Sequence, residues 1–174
     1  MLSIDFAILN FIYNNCRTSW LNVLMPIITT LSNFGAIWII LAVCLLISIK
    51  YRRVGIALSC ALVLDVIICN GILKPFIARI RPYDINTAIE LLIPRPTDFS
   101  FPSGHTAASF ASVSALYFSR LKLWIPSLIL ALLIAFSRLY LYVHYPSDVA
   151  GGIIIGYLLG FSGYKLAHYI QSNH

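Results

Sequence analysis

The stretch LWIPSLILALLIAFSRLYLYVHYPSD, residues 123–148, decides how this chain folds. Its first fourteen residues carry no charge and are greasy enough to lie in a bilayer. The next twelve introduce Arg138, His144 and Asp148. Charge beside lipid is costly and is kept where it has partners or a purpose. The whole chain shows the same contrast: of 174 residues, 60% are hydrophobic and only 10% charged, with a mean hydropathy of +0.87. Soluble domains run nearer ~25% charged. The composition implies an integral membrane protein, and the length suits one domain, residues 1–174.

Working outward, a membrane-crossing helix needs about 20 mostly apolar residues, and about 17 suffice. Six such runs are expected, at roughly 18–33, 34–50, 54–73, 104–119, 122–141 and 148–168. The expected fold is therefore all-α, a polytopic bundle of six transmembrane helices. Residues 2–14 place Ile4, Ile8, Phe11 and Ile12 on one side of a helix, which suits a short N-terminal helix lying in the interface. This opening lacks the basic start and cleavage site of a secretory signal and reads as mature protein.

Lys50, Arg52, Arg53, Arg120 and Lys122 fall in short connections, while Arg17 and Lys165 flank the termini. A six-span layout puts all of them on one side, so the positive-inside rule predicts both termini cytoplasmic. The connection 74–103 and the turn around His144 then lie outside. That outer connection holds Lys74, Arg79, Arg81 and Arg95, against the rule; either it keeps an anion site or the topology is inverted. Arg79 and Arg95 read as snorkelling to the headgroups.

The formal charge of +6 suits anionic headgroups or an anionic substrate. The basic residues are scattered between apolar spans, so nucleic acid is not the expected partner. Cys16, Cys44, Cys60 and Cys69 form no CxxC pair and read as small buried hydrophobes. Gly152, Gly156 and Gly160 on the last span, and Gly104, Ala108, Ser112 and Ala115 on the fourth, read as packing faces. Asp65, inside the third span, reads as hydrogen-bonded to a neighbour or as near the inner water boundary, with a proton relay as the sharper alternative.

Three clusters stand at the outer ends of spans. In KPFIARIRP, Lys74 and Arg81 are seven residues apart, nearly two helical turns, so one helix face would present both. In FPSGHT, Pro102 and Ser103 suit a helix start, where the N–H groups of Gly104 and His105 would point at an anion. In the opening stretch, Asp148 follows His144 by four residues. Phosphate ester transfer chiefly needs positioning and charge stabilisation. Lys74, Arg81 and Arg138 offer these. A neutral imidazole held by a carboxylate can attack phosphorus, as His144 with Asp148 would, and His105 is the available acid for the leaving alkoxide.

The pattern K-x6-RP, PSGH, SR-x5-H-x3-D resembles the signature of the type-two phosphatidic acid phosphatase superfamily, which includes lipid phosphate phosphatases and vanadium haloperoxidases. Every signature position is present between residues 74 and 148. The resemblance implies a membrane-embedded lipid phosphatase working through a phosphohistidine on His144. Asp148 would orient the nucleophile, and His105 would act as acid and then help to activate water. Lys74, Arg81, Ser103, Gly104 and Arg138 would bind phosphate. It also implies no metal and no cofactor, a lipid phosphate substrate among membrane lipids, no obligate protein partner, and a bacterial inner-membrane location with the site on the extracytoplasmic face. The small size looks like bacterial members that act on undecaprenyl pyrophosphate, phosphatidylglycerol phosphate or phosphatidic acid, the first being favoured. A lipid phosphotransferase using the same intermediate, a haloperoxidase, and a non-hydrolytic lipid transporter or inactive binding protein are the alternatives. The connection 83–101 would be a lid or an interfacial helix, with Ile89, Leu91, Leu92 and Ile93 touching lipid chains or anchoring the loop.

Overall fold

In lipid a backbone must satisfy its own polar groups, and apolar runs therefore close into helices. The computed structural model describes residues 2–172 and contains no strand among them. The helices are α1 (Leu2–Asn15), α2 (Ser19–Thr30), α3 (Ala36–Ile47) and α4 (Arg52–Asp65). A π-helical segment, Val66–Leu73, continues α4 into the short α5 (Lys74–Ile77). Then come α6 (Pro82–Ile85), α7 (Gly104–Phe118), α8 (Trp124–Tyr140) and α9 (Pro146–Ser172).

α7 is the centre of the bundle, with ten of its fifteen residues buried, and α9, α8 and α4 pack around it. Small residues make this approach possible. A Cβ at Gly156 of α9 would sit 3.0 Å from the Ala111 nitrogen of α7, and one at Gly163 only 2.5 Å from the Ala61 nitrogen of α4. The outer wall is apolar: Ile125, Ile129 and Leu132 on α8, with Ile154 and Leu158 on α9, point outward. That is the surface a bilayer covers.

By length and apolarity, Arg52–Ile85 and Pro146–Ile170 can each cross a membrane. Ser19–Thr30 and Asn33–Ile47 pass that test only together, as a pair bent by 47°. The expected spans at 18–33 and 34–50 are thus not a helical hairpin. Phe34 (φ 53°) and Gly35 (φ 71°) break the helix, but they turn the chain through 47°, far short of a reversal. Among the described residues, length and apolarity alone give two crossings, or three if the bent pair is one span.

This changes where the ends of the chain lie. Asp5 on α1 accepts a hydrogen bond at 3.0 Å from the backbone N–H of Ser147, in the first turn of α9. α9 then runs 27 residues away from that point, about 40 Å at 1.5 Å per residue. α1 and the last turn of α9 therefore stand at opposite ends of the bundle, where the expected layout had both termini on one side. Arg17 sits at the α1 end, donating to the Glu90 carbonyl at 3.4 Å, rather than with the other basic clusters. α1 buries Leu9, Ile12 and Asp5 against the α8–α9 turn and exposes Ile4, Ile8 and Phe11, so Ile12 does not join the outward side. Of the cysteines only Cys69 is buried, while Cys44 is exposed.

Candidate active site

At the α1 end of the bundle a cavity of about 780 Å³ opens. Lys74, Arg81, Gly104, His105, Arg138 and His144 all line it. Three sequence clusters, spread over 70 residues, converge here, and both imidazoles face the same space.

Lys74 and Arg81 reach the cavity by a different route from the one expected. They do not share a helix face, because Ala78 adopts φ 48° and caps α5 by donating its N–H to the Lys74 carbonyl. The chain then leaves the helix, and Arg81 is extended (φ −75°, ψ 154°), the conformation that a following proline imposes. Arg81 is 3% exposed and donates through Nη1 to the Val143 carbonyl at 2.6 Å. Arg138, at the end of α8, is also buried. Its Nη1 donates to Thr29 Oγ1 at 2.5 Å, while its Nε has no hydrogen-bond partner.

His144 lies in the turn between α8 and α9. Its Nδ1 is 2.8 Å from the Ser100 carbonyl, which as an acceptor fixes Nδ1 as the protonated nitrogen and leaves Nε2 with its lone pair. Nε2 lies 3.2 Å from Arg81 Nη1. Burial, then the charges of Arg81, Arg138 and Lys74, push this imidazole well below its ordinary pKa, outweighing the Ser100 carbonyl. The imidazole is therefore neutral at pH 7.

Asp148 does not hold His144 in the manner expected. Its nearer oxygen is 3.6 Å from Nδ1, too long for a hydrogen bond. The fully buried carboxylate instead accepts from Ser100 Oγ at 2.5 Å and from the Tyr145 N–H at 2.9 Å, and it pairs with Arg79. Asp148 thus positions Ser100, whose carbonyl positions His144. Ser103 also stays out of the cavity wall. It is buried at the start of α7 with its hydroxyl 2.9 Å from Thr106 Oγ1, and Gly104 alone of that pair lines the cavity.

Four participants escaped the sequence reading. Arg79 does not snorkel: it bridges Asp148, Ser147 Oγ (2.7 Å) and Asp5 (2.8 Å), and it stacks 3.9 Å above the Tyr145 ring. Asp5, on α1, completes that cluster. Asn33, in the α2–α3 bend, places Oδ1 2.9 Å from His105 Nε2. Asp98 pairs with both Lys74 and Arg81. Burial raises its carboxyl, but hydrogen bonding to Lys74 and the charges of Lys74 and Arg81 outweigh this and hold it below the usual carboxylate range. Asp98 alone offered any local signal, as the one carboxylate just before FPSGHT. The 83–101 connection forms no helix beyond α6; Leu91, Leu92 and Ile93 pack on the core, and Ile93 also lines the cavity.

A helical bundle of membrane-crossing character, with two imidazoles and three cations around a cavity at one end, defines an integral membrane protein built to hold an anion. The chain belongs to the PAP2 superfamily, whose pattern matches residues 53–172. The undecaprenyl-diphosphatase of Sulfolobus acidocaldarius is 36% identical over 159 residues, 90% of this chain and 73% of that protein. Phosphatidylglycerophosphatase B of Bacillus subtilis is 32% identical over 160 residues, 83% of this chain and 74% of that one. The crystal structure of a transmembrane PAP2 type phosphatidylglycerolphosphate phosphatase from Bacillus subtilis superposes with a TM-score of 0.78 at 28% identity, covering 97% of this chain and 87% of that one.

Proposed function

We propose that the chain is a membrane-embedded lipid phosphatase that removes a terminal phosphate through a phosphohistidine on His144. The observation that carries this reading is the lone pair of His144 Nε2, set by the Ser100 carbonyl and facing a cavity walled by Lys74, Arg81 and Arg138. In the first step an Nε2–P bond forms as the P–O bond to the lipid breaks. The three cations take the charge on the phosphoryl oxygens, and Arg81 Nη1 turns from Nε2 to phosphate. With the phosphate's negative charge bound beside it His105 takes up a second proton, and this imidazolium protonates the departing oxygen. Its Nε2–H is committed to Asn33, so Nδ1 is the nitrogen that exchanges the proton. In the second step water attacks phosphorus, His105 takes its proton, the N–P bond breaks and inorganic phosphate leaves.

The preferred substrate is a prenyl pyrophosphate of the undecaprenyl type, with phosphatidylglycerol phosphate next. Similarity to proteins named for both substrates supports that order, as do the apolar cavity residues Ile39, Val66 and Ile93. We place the site on the extracytoplasmic face. The opposite end holds Lys50, Arg52, Arg53, Arg120 and Lys122 with no acidic residue beside them in sequence, which suits the cytoplasm. α1 then lies in the outer interface.

A phosphate-release panel on purified protein tests the substrate. Undecaprenyl pyrophosphate should turn over faster than phosphatidylglycerol phosphate, and acid-quenched protein from labelled substrate should carry its label on His144. Label on any other residue removes the mechanism. Turnover should survive EDTA.

A further inference from the structure

The cavity already contains an anion of the protein's own making. One Asp98 carboxylate oxygen pairs with Lys74 Nζ and the other lies 2.6 Å from Arg81 Nη2, so the group straddles two cations assigned above to phosphate. Its side chain is 48% exposed and lines the cavity. The backbone is held separately: Arg81 Nε donates to the Asp98 carbonyl at 2.8 Å, and the Ser100 N–H donates to the Arg79 carbonyl at 2.8 Å. The carboxylate can therefore leave by side-chain rotation, with the loop in place. A second observation concerns Arg138. With Asp98 seated on Lys74 and Arg81, Arg138 Nε remains without a partner. Two oxygens fill two of the three cationic positions, while Arg138 holds Thr29 through Nη1 and keeps Nε unpartnered.

We infer that Asp98 is a specificity-determining residue, a tethered anion that occupies the phosphate position until a phosphomonoester or terminal pyrophosphate group displaces it, and that excludes the phosphodiester headgroups of the surrounding lipids. A diester phosphate carries one charge and two free oxygens, no more than the carboxylate, and it competes as a separate molecule against a group tethered in place. A terminal phosphate carries about −1.5 to −2 charges and three strong acceptor oxygens. It serves Lys74, Arg81 and Arg138 together. The inference rests on the phosphatase reading in one respect, that the displacing group is the substrate's phosphate.

Asp98→Asn keeps the shape and one acceptor oxygen while removing the charge. Two readouts apply: inorganic phosphate binding to purified protein by titration calorimetry, and inhibition of phosphate release by phosphatidylglycerol in mixed micelles. The variant should bind phosphate about tenfold more tightly, equivalent to about 1.4 kcal/mol, and should be inhibited by the diester lipid where the parent is not. Asp98→Ser, which adds no bulk, should move both readouts the same way and carries the test if Asp98→Asn does not fold. Weaker or unchanged phosphate binding would make Asp98 a scaffold for the cations and overturn the inference, as would equal diester inhibition in parent and variant. If neither protein binds phosphate, the inference falls together with the assignment of Lys74 and Arg81; if the parent binds phosphate and the Asp98 variants bind it no more tightly, the assignment stands and the inference alone falls.

Discussion

The two ends of the bundle use cations in different ways. At the cavity end Arg79 lies between Asp5 and Asp148, Lys74 and Arg81 share Asp98, and Arg95 stands 3.9 Å from Asp84. At the far end Lys50 rests over the Tyr51 ring and Arg52 donates to the Leu46 carbonyl; among the described residues none of the cations there pairs with a carboxylate. Unpaired cations in short loops read out only which side of a membrane they stand on. Paired, buried cations hold atoms at fixed distances. The same residue types thus give an address at one end and a geometry at the other, so substitution at the two ends should have separable effects.

The largest effect is expected from His144→Ala, which should lower turnover by about 10³-fold or more while the protein still binds phosphate and melts as the parent does; residual turnover within tenfold of the parent would break the contrast at its centre. Arg79→Ala leaves Asp148 buried without its cation. Loss of a buried partner costs about 3 kcal/mol, the low end of the usual range because Arg79 keeps part of its surface open. Thermal unfolding in detergent should show that loss, and Asp148→Asn in the same background should restore part of it. Asn33→Ala frees His105 Nε2 and should reduce kcat about tenfold, a fraction of the ~10²–10⁴ supplied by acid–base catalysis, with KM unmoved.

Two further changes should do little. Between pH 7.5 and 6 the His144 ring should remain neutral with its proton on Nδ1, read by nitrogen NMR of labelled histidine. Its lowered pKa delays protonation until well under 6.5; the corresponding stability is present above that value and is lost as pH falls further. An imidazolium at pH 6 would contradict the site's electrostatics. Arg52→Gln with Arg53→Gln should leave turnover in detergent unchanged and shift only the fraction inserted in each orientation, measured by protease access in vesicles.

The parts of the site that were legible in sequence are those whose chemistry demands fixed local spacing. Lys74, Arg81, Gly104, His105, Arg138 and His144 could be named because each motif is read within a few residues. Arg79, Asp5 and Asn33 could not, because their hydrogen-bond partners lie 68 to 142 residues away and no periodicity links them. Local conformation misled in two places. Ala78 takes a left-handed turn with no glycine to signal it, so Lys74 and Arg81 appeared to share a helix. The Ser32–Gly35 region reads as a chain reversal but bends the flanking helices by only 47°. Apolar helices, small-residue seams and lipid-facing walls were legible because hydropathy and residue size set them directly.

The bond between Asp5 and the start of α9 has a consequence for biosynthesis. Its two halves are separated by 142 residues of chain, and a ribosome adding about 5–20 residues per second needs on the order of ten seconds to bridge them. The first helix made is among the last to be seated. The Asp5–Arg79–Asp148 cluster is therefore incomplete until the start of α9 has been made.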